Sequence, residues 1–195
     1  MNDIPRLMPW IGGPAHGRGG AAFSPLVSPI DDSVACQMIE SDAGVVDAAV
    51  EHAHRAYLAN REATTAKRVG WLMAAADSID KIEAELVRSL VRVIGKPRRA
   101  STFEARRAGA FIRACAAQLP HLNGEVLPLD VAANGAGRFG FTVRIPYGVV
   151  AAITPFNGPV NLLIQKVAPA LAVGNSVVVK PSPPGAEGAL LMAAA

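Results

Sequence analysis

The most constraining stretch of this sequence runs from Tyr147 to Pro184. An apolar run, Val149 to Ile153, stops abruptly at Thr154-Pro155, and a helical pattern follows. A second apolar run, Val177 to Val179, stops at Lys180-Pro181. Strand, crossover helix and strand in that order call for two parallel strands in one sheet. Neither run alternates with polar residues, as expected of strands covered on both faces. In an open parallel sheet, ligands bind beyond the carboxyl ends of the strands. Thr154 to Asn157 lie past one such end and Lys180 to Pro183 past the other. If the strands are neighbours, the Asn157 amide and the Lys180 ammonium line one crevice. Local chemistry alone favours something plainer: Asn157 capping the helix that begins near Pro159, and Lys180 solvated.

The rest of the chain supports an α/β class. Its 195 residues suffice for one sizeable domain or parts of two. It is 51% hydrophobic and 18% charged, which excludes a wholly disordered chain. A net charge of +3 is too small to imply nucleic acid or a membrane surface as partner. Two cysteines, Cys36 and Cys115, suggest neither a disulfide framework nor a metal site, and fit a reducing, cytoplasmic setting. There is no signal-peptide pattern and no apolar run near the roughly 20 residues that span a bilayer.

In chain order, Gly12-Gly13-Pro14 and Gly17-Arg18-Gly19-Gly20 mark turns, and Val34 to Ile39 reads as a short strand. Ser41 or Asp42 caps a helix whose apolar positions are Val46, Ala49, Val50, Ala53 and Tyr57. His52 and His54 point to different faces of it, so exposed histidines are expected rather than a metal pair. One long helix is expected from about Thr65 to Ile94, with Val69, Leu72, Met73, Ala76, Ile79, Ile82, Leu86 and Leu90 in its buried stripe and Gly95 ending it. Ser101-Thr102-Phe103-Glu104 has the spacing of a capping box opening another helix, which buries Ala108, Ile112, Cys115 and Leu119. Arg98-Arg99 and Arg106-Arg107 read as a solvated face.

Residues 126–146 change character. Leu127 to Val131 and Phe139 to Ile145 look extended, with Asn134-Gly135 as a hairpin turn between them. Gly135 to Gly140 matches G-x-G-x-x-G, but a strand-like alternation follows where a dinucleotide fingerprint needs a helix, so the match is rejected. After Pro181 to Gly185 the chain turns into a helix from Ala186 and stops on an apolar face. It therefore reads as the N-terminal part of a longer protein.

The central stretch resembles the aldehyde dehydrogenase superfamily. Pro146-Tyr147-Gly148-Val149-Val150 leads to Ile153-Thr154-Pro155-Phe156-Asn157-Gly158-Pro159. Lys166 to Asn175 follows, then Val177-Val178-Val179-Lys180-Pro181-Ser182, in the family's register. Weaker matches are Gly95-Lys96-Pro97 with Glu104, and Gly124-Glu125. The resemblance implies an aldehyde dehydrogenase-like fold in three parts: a helical N-terminal part of the cofactor-binding domain (1–125), an oligomerisation hairpin (126–146), and the first βαβ unit of a Rossmann-like sheet (147–195). It implies that Asn157 donates its amide to the aldehyde oxygen as that oxygen becomes an oxyanion. It places NAD or NADP along Ile153, Thr154, Pro155 and Phe156, with Lys180, Ser182 and Pro183 at the adenosine ribose. It implies an aldehyde substrate, no metal, and a homo-oligomer.

Two departures qualify this. Pro183 stands where many NAD-preferring members have a glutamate, so NADP is permitted although no nearby Lys or Arg selects it. The family's nucleophilic cysteine and general-base glutamate lie beyond the second strand, so this chain alone is expected to lack thioester chemistry. The alternatives are a non-catalytic truncated product that keeps partial cofactor binding or association, and a related reductase of acyl phosphates, against which Phe156-Asn157 and Lys180-Pro181 argue. Gly158, where bulkier residues are common, is expected to loosen the cleft near Asn157.

Overall fold

The computed structural model describes residues 4–14 and 22–195, so the predicted turn at Gly17 to Gly20 lies outside the described residues. Seven strands and six α-helices are described: β1 (Arg6–Leu7), β2 (Phe23–Val27), β3 (Val34–Ile39), α1 (Ala43–Asn60), α2 (Thr65–Lys81), α3 (Glu83–Ile94), α4 (Arg98–Gln118), β4 (Val126–Leu127), β5 (Gly140–Phe141), β6 (Val149–Ile153), α5 (Pro159–Ala172), β7 (Ser176–Lys180) and α6 (Ala186–Ala194). They form an α/β fold with three small sheets, ordered β1-β3-β2, β4-β5 and β6-β7. No described helix is long and apolar enough to cross a membrane.

The main core lies where α2, α3, α4 and α5 converge. Leu86, Leu90, Ile112, Val160 and Leu163 are buried together there. Ala76 and Ala108 are fully buried between them and allow close helix approach. Gly109 extends that approach: a Cβ on it would lie 2.1 Å from Asp80 Oδ1. Arg113 on α4 then bridges to Asp77 (2.6 Å) and Asp80 (2.7 Å) on α2. A smaller core holds Leu7, Cys36, Val93 and Ala186. It joins the N-terminal sheet to α3 and α6, so Cys36 is the packing residue its strand position suggested.

Asp42 caps α1, its carboxylate accepting from Val45 N at 2.9 Å. The buried edge of α1 is Val45 and Ala53, while Val46 and Val50 are exposed. The expected stripe was thus one residue off on that side, because α1 packs only along a narrow line against β6 and β7. The expected long helix is two. It breaks at Ile82, whose φ of −99° and ψ of 17° leave the helical region, and no Gly or Pro marks the place. Met73 is exposed, whereas Leu72, Ala76 and Ile79 are buried. Gly95 does end α3, in the left-handed region at φ 72°.

The capping box is overturned. α4 already begins at Arg98, one turn before Ser101, and has no side-chain cap. Ser101 Oγ, fully buried, lies 3.2 Å from the Lys96 and Pro97 carbonyls. Glu104 turns away from its own helix altogether.

The region 120–147 also departs from expectation. β4 and β5 pair over two residues each, Val126 with Phe141 and Leu127 with Gly140. Leu129–Val131 and Ala133–Gly135 are single 3-10 turns rather than extended chain, so Asn134-Gly135 is not a two-residue hairpin turn. Gly135 is buried, and a Cβ on it would lie 1.7 Å from the Leu129 carbonyl oxygen. No helix opens at Gly135–Gly140, as the rejected dinucleotide match requires. Val131, Phe139, Ile145 and Tyr147 project into solvent, Tyr147 at 99% exposure.

Candidate functional site

β6 and β7 are parallel neighbours in the register Val149↔Ser176 to Ile153↔Lys180. Their carboxyl ends are level, and Thr154 N donates to the Lys180 carbonyl at 3.2 Å. Asn175 sets this register at the other end. Its Oδ1 accepts from Gly148 N (3.0 Å) and its Nδ2 donates to Ala170 O (3.2 Å), while Ser176 N reaches Gly148 O (2.9 Å). One amide side chain therefore ties the start of β6, the end of α5 and the start of β7. The strands are not covered on both faces as expected. Ala152 is buried, but Ile153 is 67% exposed and Val177 to Val179 are half-buried. In a pair, each strand is an edge, and the main packing against it among the described residues comes from α1 and α5.

Beyond β6, Thr154 is 5% exposed, while Pro155, Phe156 and Asn157 are exposed. Asn157 does not cap α5. The N-cap position is Gly158, which makes no side-chain bond. The cap comes from Glu104, 56 residues earlier, whose Oε1 accepts from Val160 N at 2.9 Å and Asn161 N at 3.2 Å. Glu104 is 2% exposed. Its Oε2 is paired with Lys96 Nζ, which also donates to the Asn157 carbonyl at 3.2 Å. The orphan amides of the α5 N-terminus are thus occupied by a carboxylate suited to the positive end of the helix. Among the described residues, no hydrogen bond engages the Asn157 side-chain amide. A Cβ on Gly158 would make an ordinary contact with Leu162 Cδ1 at 3.5 Å.

Beyond β7, Lys180 and Pro183 are exposed and Pro181 and Ser182 are half-buried. No ion pair engages Lys180 among the described residues. Two hydroxyl oxygens of these connections, Thr154 Oγ1 and Ser182 Oγ, are buried without a partner in the chain. A buried unpaired hydroxyl is costly, so both strand ends retain polar capacity that the fold itself does not use. Surface grooves lie along α4 at Arg99, Phe103 and Arg106, and between α3 and α6.

Neither cysteine belongs to this site. Cys36 lies in β3, where burial foremost, with the Glu187 carboxylate adding to it, pushes its thiol up to about 11. Burial also raises the Cys115 thiol, on α4. Neither is a thiolate at neutral pH. Among the described residues no cluster of His, Cys, Asp and Glu suits a metal. His52 is half-buried and His54 exposed, on different faces as expected.

Asn157 and Lys180 therefore follow the same end of one parallel strand pair, the pairing that the strand–helix–strand pattern anticipated. Lys96, Glu104 and Asn175 were not singled out for the parts they play here. The first two stood in a weak family match, and Glu104 also in a capping-box pattern that assigned it to its own helix.

Comparison with known proteins agrees with this geometry. The model described as "Aldehyde dehydrogenase family" matches residues 18–195. A 3-sulfolactaldehyde dehydrogenase of Priestia aryabhattai is 44% identical over 111 residues, which is 57% of this chain and 23% of that protein. The structure of an NADP-dependent glyceraldehyde-3-phosphate dehydrogenase from Bacillus halodurans C-125, complexed with NADP, superimposes with a TM-score of 0.91 at 27% identity. It covers 98% of this chain and 40% of that one. An NAD-dependent benzaldehyde dehydrogenase from Corynebacterium glutamicum gives a TM-score of 0.82 at 32% identity, covering 91% of this chain and 37% of that one. The chain thus spans well under half the length of the proteins it matches.

Proposed function

This chain belongs to the aldehyde dehydrogenase family, and from that premise we propose that it supplies the oxyanion-stabilising and cofactor-cradling part of an NAD(P)-dependent aldehyde oxidation. The observation that carries the proposal is the free amide of Asn157. Glu104 takes the helix-capping task that would otherwise occupy it. An amide donor held in place before the reaction lowers the barrier if it aims at the oxygen where charge develops. Asn157 would donate one N–H to the aldehyde oxygen as its carbon becomes tetrahedral.

The residues fit a dinucleotide along the carboxyl ends of β6 and β7. Lys180 and the unpartnered Ser182 Oγ would hold ribose hydroxyls, and the backbone of Ile153, Thr154, Pro155 and Phe156 would border the cleft. When bound, the nicotinamide supplies a hydride acceptor. Pro183 offers no carboxylate to bind ribose hydroxyls and none to repel a 2′-phosphate. That supports acceptance of NADP as well as NAD, consistent with NADP in one similar structure and NAD dependence in another. The raised thiols of Cys36 and Cys115 support a division of labour in which neither is the nucleophile.

Residues 126–146 present Val126, Val131, Phe139 and Phe141 to solvent. A two-stranded ribbon is marginal alone, which supports its role in association between copies of a cytoplasmic enzyme. The three parts, 1–125, 126–146 and 147–195, then serve packing, association and the site.

Asn157→Ala is the direct test. In protein that turns over an aldehyde, it should lower kcat by roughly 10²–10³, and an unchanged chemical step would remove Asn157 from the role. This chain by itself should not oxidise aldehydes. On the cofactor side, Lys180→Met should weaken binding roughly tenfold by calorimetry, the worth of one charged hydrogen bond.

A further inference from the structure

We infer that the pair of half-buried Lys96 and buried Glu104 is a positioning device that keeps Asn157 free to act, an inference that rests on the oxyanion reading above. The pair holds the end of the β6–α5 connection and the first turn of α5. Lys96 Nζ holds the Asn157 carbonyl at 3.2 Å. Glu104 Oε1 holds Val160 N at 2.9 Å and Asn161 N at 3.2 Å, three and four residues later.

Three physical arguments make this more than a structural clamp. First, asparagine is among the strongest helix-capping residues, and Asn157 sits one residue before an N-cap glycine with no side chain. With open amides at the head of α5, its side chain would have a competing partner. Glu104 removes that competitor. Second, a lone carboxylate so close would oppose negative charge developing on a substrate oxygen. Lys96 pairs with it, so the two together add no net negative charge beside that oxygen. Third, the pair is itself anchored. Gly95 is in the left-handed region at φ 72°, and the fully buried Ser101 hydroxyl lies 3.2 Å from the Lys96 and Pro97 carbonyls. The backbone that carries the ammonium is therefore set.

The residues act through Asn157 and are positioning residues. The test has two arms. In this chain, amide hydrogen exchange and the Asn157 side-chain amide resonance are followed in Glu104→Gln and Lys96→Met, with near-UV circular dichroism confirming the fold. Exchange at Val160 and Asn161 should quicken about tenfold or more in Glu104→Gln, and the Asn157 amide resonance should shift in both variants. Unchanged exchange and resonance would overturn the inference whatever the activity. In protein that oxidises aldehydes, Glu104→Gln should lower kcat about tenfold or more with the cofactor KM unchanged. The Glu104→Gln/Asn157→Ala double variant should be no slower than Asn157→Ala. Independent, multiplied losses would overturn the positioning role, as would a rise in cofactor KM with kcat intact. If Asn157→Ala alone leaves turnover intact, the oxyanion reading fails, while the exchange arm still decides what the pair orders. Should Glu104→Gln unfold, Lys96→Met decides by the same readouts, with Lys96→Arg expected to restore most of the lost kcat.

Discussion

Five residues, 154–158, join β6 to α5, and five, 181–185, join β7 to α6. The two connections follow the same end of one parallel strand pair and are held in different ways. The second is stiffened locally. Pro181, Pro183 and Pro184 restrict φ within it, and Gly185 N closes it onto the Ser182 carbonyl at 2.9 Å. The first has a single proline, Pro155, and takes its shape from Lys96 and Glu104 on another part of the chain. A turn made rigid by its own residues suits a cofactor that is bound the same way each time. A turn held by a remote ion pair keeps an amide exposed that local chemistry would have used up.

The comparison can be broken in order of expected effect. The largest is Asn157→Ala, roughly 10²–10³ in kcat, equivalent to about 2.7–4 kcal/mol. If the first connection were rigid by itself, Lys96→Met would change little. Because it leaves the buried Glu104 carboxylate without its counter-ion, it should cost about 3 kcal/mol, a fall in Tm of roughly 6–12 °C by calorimetry. The Lys96→Met/Glu104→Gln double variant should lose less than Lys96→Met alone, since no uncompensated charge remains. At the second connection, Pro183→Glu should leave Tm within about 2 °C and act on selectivity instead. It should shift the NADP-to-NAD affinity ratio roughly tenfold toward NAD by titration, as one like-charge contact is worth on the order of 1.4 kcal/mol.

The smallest effect is a control outside both connections. Cys36 holds its proton in the fold up to about 11, above the ordinary thiol value of 9.0. The unfolded chain loses that proton first. Stability contributed by this group is therefore whole below pH about 9 and declines as pH rises toward about 11. Thiol-reactive probes at pH 8 should leave Cys36 unmodified until the chain unfolds. Reaction with folded protein would show that the N-terminal sheet opens locally.

Legibility in the sequence followed the range of the interactions. The two strands, their parallel pairing and the positions of Asn157 and Lys180 at their ends were readable, because apolar runs and proline stops act over a few residues. Asp42 as a helix cap and Gly95 as a helix end were readable for the same reason. The apolar stripe of α1 was half right, since periodicity locates a face but not its edges when the helix touches only two strands. The break at Ile82 carries no local signal at all. The capping-box spacing at Ser101–Glu104 was real, yet both side chains do other work, because α4 starts a turn earlier. The antiparallel pairing within 126–146 was readable, but the tight turn at Asn134-Gly135 was not, because 3-10 turns fill the loop and Gly135 packs against the Leu129 carbonyl.

The sequence by itself determined the βαβ unit, the residues at its two strand ends and the family to which they belong. These follow from backbone conformations and side-chain periods fixed within a helix or strand length. Tertiary structure alone decided why Asn157 is free. A buried carboxylate must find donors, a helix N-terminus must find acceptors, and folding brought Glu104 to Val160 and Asn161 across more than 50 residues of chain. Local rules assigned that cap to Asn157. The packing of α4 against α5 gave it to Glu104, and left the amide at the end of β6 available for chemistry.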